Sequence, residues 1–317
     1  MKPVLVLGGS GFVGRTLCEQ LIADGDGAAR ITVPSRRPAR AKSLSMLPGL
    51  ELLPAKTYDE PALVRLLRGK HAVVNLIASL HGSEAAFREV HVELPRRLAR
   101  ACAIAGVRRV VHVSSLGAAP DAPSRYQRSK AEGEAVLRAA RLDLTVLRPS
   151  VIFGAQDQFL NLFARLQALL PVMPLACADA RFQPVWVNDV AQAIVRALNS
   201  PQTIGASYEA VGPKTYTLKE LVQYAGAWSG HRRPVLPLPA LLGRLQAGLL
   251  ELLPGEPMMS RDNLDSMAVP NVATGQLPGL DALGIRPTAL EAVMPEVLSR
   301  RGNPARLDGW RREARRG

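Results

Sequence analysis

Aromatic residues make up only 4% of this 317-residue chain, too few for the stacking platforms that hold single-stranded nucleic acid. Cysteine is rarer still, and Cys18, Cys102 and Cys177 are too scattered for a disulfide framework or a zinc site. The five histidines fall at no metal-ligand spacing. No window approaches 18 uncharged apolar residues, so no membrane-spanning helix is expected. Met1-Lys2-Pro3-Val4 runs straight into a buried-type strand, and no secretory leader is expected either. Repeats and low-complexity tracts are missing apart from an arginine-rich end. A reduced, cytoplasmic, globular protein is therefore the expectation.

Acid is the remaining deficit. Forty basic residues stand against 27 acidic ones, a net charge of +13, which suits phosphate, anionic lipid or nucleic acid as partners. Part of the excess lies in 300–316, with seven arginines against Asp308 and Glu313. Another part lies between Asp26 and Glu51, where Arg30, Arg36, Arg37, Arg40 and Lys42 occur without a single acid.

Apolar residues reach 47%, enough for a sizeable core. Val4–Leu7 is an apolar run ending in glycines, followed by a helical pattern through Phe12, Val13, Leu17, Leu21 and Ile22. Ile31–Val33 and Leu50–Leu53 read as strands. A helix over 61–68 precedes the strand 71–78, and one long helix runs through Val90, Leu94, Leu98, Cys102 and Ile104 to Gly106. Then 110–114, 130–140 and 144–147 continue the alternation. Continuous apolar strands alternating with amphipathic helices predict an α/β fold: a Rossmann-type doubly wound parallel sheet covered on both faces. Beyond Pro149 prolines cluster and the helices separate. Residues 1–155 are expected to form the nucleotide domain, with 184–212 completing its sheet through Val185–Val187. Residues 156–183 and 213–317 would form a smaller, mostly helical C-terminal domain for substrate or partner. Asn188-Asp189 reads as the cap of the helix that follows it. His112 reads as a packed strand residue, and His81 and His91 as polar loop residues.

Gly8-Gly9-Ser10-Gly11-Phe12-Val13-Gly14 follows the first strand and opens a helix. Its glycines permit a tight turn, let a pyrophosphate approach the backbone, and let the helix sit against the sheet, with free N–H groups facing the phosphate. After the second strand stands Ser35-Arg36-Arg37 with no acid. An acid there would take the ribose hydroxyls of NAD, whereas arginine grips a 2′-phosphate, so the pattern favours NADP(H) over NAD(H). Ser114-Ser115 ends the fifth strand, and Tyr126-Gln127-Arg128-Ser129-Lys130 follows. Four residues apart on a helix, Tyr126 and Lys130 share a face. The ammonium is expected to lower the phenol's pKa so that Tyr126 acts as acid/base, with Ser115 polarising the same oxygen.

These motifs, with Asn75-Leu76-Ile77-Ala78, Leu147-Arg148-Pro149 and Val185 to Ala191, resemble the extended and atypical short-chain dehydrogenase/reductases, the NAD-dependent epimerase/dehydratase family, over roughly the first 200 residues. Tyr208 to Pro213, Thr217 to Leu221, Arg261-Asp262-Asn263 and Leu283 to Thr288 look like bacterial relatives of the nucleotide-binding accessory subunit of respiratory complex I. The resemblance implies that Gly8, Gly11 and Gly14 hold pyrophosphate, that Arg36 and Arg37 meet the 2′-phosphate, and that Ser10, Phe12, Val13 and Ser35 also bind the cofactor. It further implies that Ala78 lies beside the cofactor, that Lys130 also bonds the nicotinamide ribose, and that Pro149 and Val151 border the nicotinamide. Relatives carry Gly-Asp after the third strand to meet the adenine; this chain has Ala55-Lys56-Thr57, which adds a cation there.

Two readings follow. One is an oxidoreductase or epimerase acting at an oxygen-bearing carbon through Ser115, Tyr126 and Lys130. The other is a non-catalytic accessory or assembly protein of a respiratory NADH:quinone oxidoreductase complex. A nucleic-acid partner is the weakest case, since charge alone suggests it. Leucine-rich stripes at Phe159, Leu162, Phe163, Leu166, Leu169, Leu170 and at Leu241, Leu242, Leu245, Leu249, Leu252, Leu253 fall in the region expected to cover the strand ends. They suggest an apolar cleft for a quinone-like, isoprenoid or acyl substrate, or docking on a membrane-associated complex at the inner face of a membrane.

Overall fold

The computed structural model describes residues 2–25, 29–55, 57–252 and 259–302. Its first strand, β1 (Val4–Leu7), is buried along its whole length. A strand of this kind needs helices on both faces. The chain supplies them as α1 (Phe12–Asp24), β2 (Ile31–Ser35), β3 (Leu50–Pro54), α2 (Glu60–Leu67), β4 (Ala72–Asn75), α3 (Glu84–Arg88), α4 (Leu94–Ala105), β5 (Arg109–Val113), α5 (Arg125–Ala139) and β6 (Asp143–Pro149). Later come β7 (Ile152–Phe153), α6 (Leu160–Leu169), β8 (Met173–Leu175), β9 (Arg181–Phe182), β10 (Val185–Trp186), α7 (Val187–Asn199), β11 (Ser207–Ala210), β12 (Tyr216–Thr217) and α8 (Leu218–Trp228). The described chain ends through β13 (Val235–Pro237), α9 (Ala240–Glu251), α10 (Arg261–Ser266) and α11 (Leu290–Gly302).

Seven parallel strands form the central sheet in the order β11-β6-β5-β4-β1-β2-β3. Strand order reverses between β1 and β4, where such sheets hold ligands at their carboxyl ends. One face buries Leu17, Leu21, Val190 and Ile194 from α1 and α7. The other buries Leu63, Leu67, Leu98 and Leu137 from α2, α4 and α5. A second core gathers Phe163, Leu221, Val222 and Met294 from α6, α8 and α11.

Three expectations need correction. The sheet is completed from within 184–212, but by β11, with Tyr208 opposite Leu147 on β6, and not by Val185–Val187; β10 pairs instead with the short β7. The long helix ending at left-handed Gly106 runs on without a break, but it is not α-helical throughout: a π-helical turn at Glu89–Glu93 lies between α3 and α4. Asp189 is no helix cap. Its carboxylate is buried and accepts from the Thr288 N–H at 2.7 Å and the Thr288 hydroxyl at 3.1 Å, tying α7 to a distant loop. Asp189→Ala would strand that N–H, and a loss of about 1–3 kcal/mol in unfolding free energy is expected by urea titration; an unchanged midpoint would refute the tie.

Candidate functional site

The glycine loop lies at the strand-order reversal. Gly8 has a φ of +81°, and a Cβ on it would stand 3.1 Å from Leu76, so the loops after β1 and β4 touch there. A Cβ on Gly14 would lie 2.4 Å from the Gly8 carbonyl oxygen, which shows how closely α1 meets the loop. No side chain caps α1 and no acid sits in its first turn. The first-turn N–H groups, those of Phe12, Val13 and Gly14, are therefore left to an anion. Ser35 Oγ bonds Ser10 Oγ at 3.4 Å and accepts from the Arg37 N–H at 3.2 Å, while Arg15 Nε donates to the Ser10 carbonyl at 3.1 Å. Arg36 and Arg37 are exposed, and neither pairs with a carboxylate among the described residues. The neighbouring Tyr58 hydroxyl donates to the Pro34 carbonyl; burial raises its pKa and the Arg36 cation opposes the rise. Uncapped amides and unpaired guanidiniums fit a dinucleotide with an extra phosphate. Ala78, two residues past Leu76, is exposed, and Lys56 lies outside the described residues.

At the end of β5, Ser114 and Ser115 are buried, and neither hydroxyl makes a full hydrogen bond among the described residues. Tyr126 and Lys130 both lie on α5, which Ser124 caps by accepting from the Gln127 N–H. Lys130 is buried and donates to the Val113 carbonyl at 2.9 Å. Burial pulls its pKa down to about 8, against the opposing charge of Glu134. Burial also raises the Tyr126 phenol, and the nearby Ser115 hydroxyl only partly offsets this. The ammonium spends its bond on a backbone carbonyl, and desolvation opposes the expected lowering of the Tyr126 pKa by Lys130. Pro149 is buried, and its carbonyl accepts from the Leu116 N–H. Val151 is half-buried, its N–H held at 3.3 Å by Asn271 Oδ1, which also takes the Ser150 hydroxyl at 2.6 Å.

Several residues that hold Tyr126 in place escaped sequence reasoning. His91 is buried in the π-helical turn, not in a loop. Its Nε2 accepts from the Ser79 N–H at 3.1 Å, so the proton resides on Nδ1, which donates to Ser129 Oγ at 2.8 Å; Ser129 in turn donates to the Tyr126 carbonyl at 2.8 Å. The imidazole also meets the Tyr126 ring edge-on, centroids 5.4 Å apart, and stacks on Phe87. From the C-terminal part, the buried Asp262 carboxylate accepts from the N–H groups of Arg125 and Tyr126 at 2.8 and 3.1 Å. Arg148 grips the buried Glu134 of α5 with both arms, at 2.9 and 2.7 Å. Asp262 and Arg148 stand within motifs visible in the sequence, but nothing in the sequence names their partners.

The pattern of the NAD dependent epimerase/dehydratase family matches residues 4–211. The chain belongs to that family. It is also similar to the mitochondrial NADH dehydrogenase [ubiquinone] 1 alpha subcomplex subunit 9 of Mus musculus, 33% identical over 93% of this chain and 79% of that protein. The ceramide reductase of Caulobacter vibrioides is 30% identical over 78% of this chain and 76% of that protein. Among solved structures, the NADPH-dependent quinone oxidoreductase of Escherichia coli with NADPH covers 95% of this chain and all of its own, at 21% identity and a TM-score of 0.75.

In this epimerase/dehydratase family member, the two leucine stripes part ways. Phe159, just before α6, and Leu162, Phe163 and Leu166 on it are buried or half-buried, with Leu169 and Leu170 exposed; Leu241, Leu242, Leu245, Leu249 and Leu252, on and just past α9, face solvent, and Leu253 lies outside the described residues. Among the described residues no group of three His, Cys, Asp or Glu could hold a metal ion, and no helix is long and apolar enough to cross a membrane. His112 is buried on β5, its Nδ1 accepting from Asn75 Nδ2 at 3.2 Å. Burial lowers both histidines, His91 to about 3. Between pH 6.5 and about 3 the unfolded chain therefore binds a proton at His91 that the folded chain refuses, and stability falls as pH falls. Melting curves from pH 7 to 4 are expected to show this slope, shallower in His91→Asn; an unchanged slope would remove His91 from the account.

Proposed function

We propose that the protein binds NADP(H) in preference to NAD(H) and performs oxidoreductase or epimerase-type chemistry at an oxygen-bearing carbon, with Tyr126 as acid/base. The observation that carries this reading is the pair of buried Ser114 and Ser115 hydroxyls without full hydrogen bonds, beside Tyr126 and Lys130. Buried hydroxyls are ordinarily satisfied, and those left over at a sheet's carboxyl end suit a substrate oxygen. Gly8, Ser10, Gly11, Phe12, Val13 and Gly14 would hold the pyrophosphate, with Ser35, Arg36 and Arg37 at the 2′-phosphate and Ala78, Pro149 and Val151 around the nicotinamide. When bound, the cofactor supplies or accepts hydride. Tyr126, its pKa raised by burial, is neutral near pH 7 and can donate its proton to a developing alkoxide. Ser115 would bond the same oxygen, and Lys130 the ribose and the electrostatics of the phenol.

The substrate proposed is apolar, of quinone-like, isoprenoid or acyl type. Two relatives are named for ubiquinone and ceramide chemistry, and both of those molecules carry long apolar chains. Val151 and Phe159 present half-buried apolar surface against the second core beside the site. A second reading, a nucleotide-binding accessory or assembly protein of a membrane-associated respiratory complex at the inner membrane face, is favoured by the 33% identity to the mouse subunit over nearly the whole chain.

Changing Arg36 and Arg37 to Ala together is expected to erase most of the preference for NADP(H), at about 1.5–3 kcal/mol per charge-assisted hydrogen bond. Calorimetric titration with NADPH and NADH checks this, and equal affinities in the unmodified protein would overturn it. Tyr126→Phe is expected to keep cofactor binding while turnover of a carbonyl or alcohol panel drops about a hundredfold or more. Lys130→Ala should damage both. Full turnover by Tyr126→Phe would give the role to another group, and no turnover by any form would favour the accessory reading.

A further inference from the structure

Two segments of the chain contain no acid: 158–178, which carries Arg165, and 221–250, which carries Arg232, Arg233 and Arg244. The fold brings them side by side. β13 pairs in parallel with β8, placing Leu236 beside Pro174. α9 then lies against Ala176, so close that a Cβ on Gly243 would stand 2.7 Å from the Ala176 Cβ. Gly243 and Ala247 are the buried residues of α9. A leucine row points the other way: Leu241, Leu245 and Leu249 on α9 and Leu252 just past it, at spacings of four, four and three, are 80%, 61%, 59% and 81% exposed, with Leu250 half-buried between the two faces. Leu242, Leu169 and Leu236, in the same two segments, are exposed as well. A helix that buries its small residues and exposes a leucine row inverts the ordinary soluble pattern and marks an interaction surface.

We propose that this face of α9 seats in the headgroup–acyl boundary of an anionic bilayer. A twelve-residue helix is too short to span a membrane but suits lying in its plane. The row contains no Trp, Tyr or Arg of the kind that anchors protein interfaces, where leucine is under-represented among the residues that matter. The two segments carry only basic charge, and the acids beside α9 are paired, Glu251 with Arg261 and Asp265 with Arg244, so the charge left over suits a negative surface. Arg165 and Arg232 are exposed and pair with no carboxylate among the described residues; Arg244 is held by Asp265 at 2.9 Å. The proposal goes beyond the chemistry proposed above and does not depend on it.

The test floats the full chain on phosphatidylcholine vesicles with and without phosphatidylglycerol, with NADPH titration and melting temperature measured on the same samples. Binding is expected only with the anionic lipid and is expected to weaken with salt. Leu245→Glu/Leu249→Glu should lose about a hundredfold in vesicle affinity with NADPH binding unchanged. Arg232→Ala, which leaves α9 intact, should lose about fivefold. Equal binding of the double variant, equal binding to neutral vesicles, or self-association of the unmodified chain that the double variant abolishes would each overturn the bilayer assignment, the last in favour of a second copy. Because the vesicle and NADPH readings are separate, failure of one leaves the other standing.

Discussion

Burial of the Lys130 ammonium is the constraint around which the candidate site is arranged. A primary ammonium out of water is tolerated only with compensating bonds, and here a single carbonyl, Val113, receives it at 2.9 Å. That bond requires α5 to cross the end of β5 at one height and one rotation. Gly133 permits it: a Cβ there would stand 1.9 Å from the His91 carbonyl oxygen, so α5 and the π-helical turn meet backbone to backbone. The turn itself has a use, since a π-helical step rotates the following residues, and it carries His91 inward to Ser129 and Tyr126.

Three independent ties hold α5 against that height. Asp262 receives its first N–H groups, adding a carboxylate where the helix dipole favours one. Glu134 is clamped by Arg148 from β6, a bidentate pair whose two parallel bonds fix orientation as well as position. The Ser79–His91–Ser129 chain connects α5 to the loop after β4. Each tie comes from a different part of the sequence, and together they relate Tyr126 to both the cofactor-side loops and the C-terminal segment.

The C-terminal part is fastened by the same means. Asp189 accepts from Thr288, Glu209 accepts from the N–H and hydroxyl of Thr274, and Asn271 meets Ser150 and Val151. Buried carboxylates receiving backbone donors over such separations are specific in position because an unmatched partner on either side would be left without a bond. This is how a proline-rich segment with little regular structure comes to border the site.

The architecture of the sheet, the glycine loop at its switch point and the shared helix of Tyr126 and Lys130 were legible in the residues alone. Those features are local: apolar runs dictate buried strands, glycine dictates the turn, and a four-residue spacing dictates a shared helix face. Asp189 and His91 were misread because their side chains act on partners 99 and 38 residues away, and short-range pattern offers a cap or a loop as the default. Val185–Val187 was misplaced because strand pattern does not say which edge is already taken. Charge spacing beside the phenol is visible in a sequence, whereas the desolvation that opposes it is not. The leucines of α9 show the same limit. Their spacing guarantees an apolar face, but only the packing of Gly243 and Ala247 on the protein decides that this face looks outward.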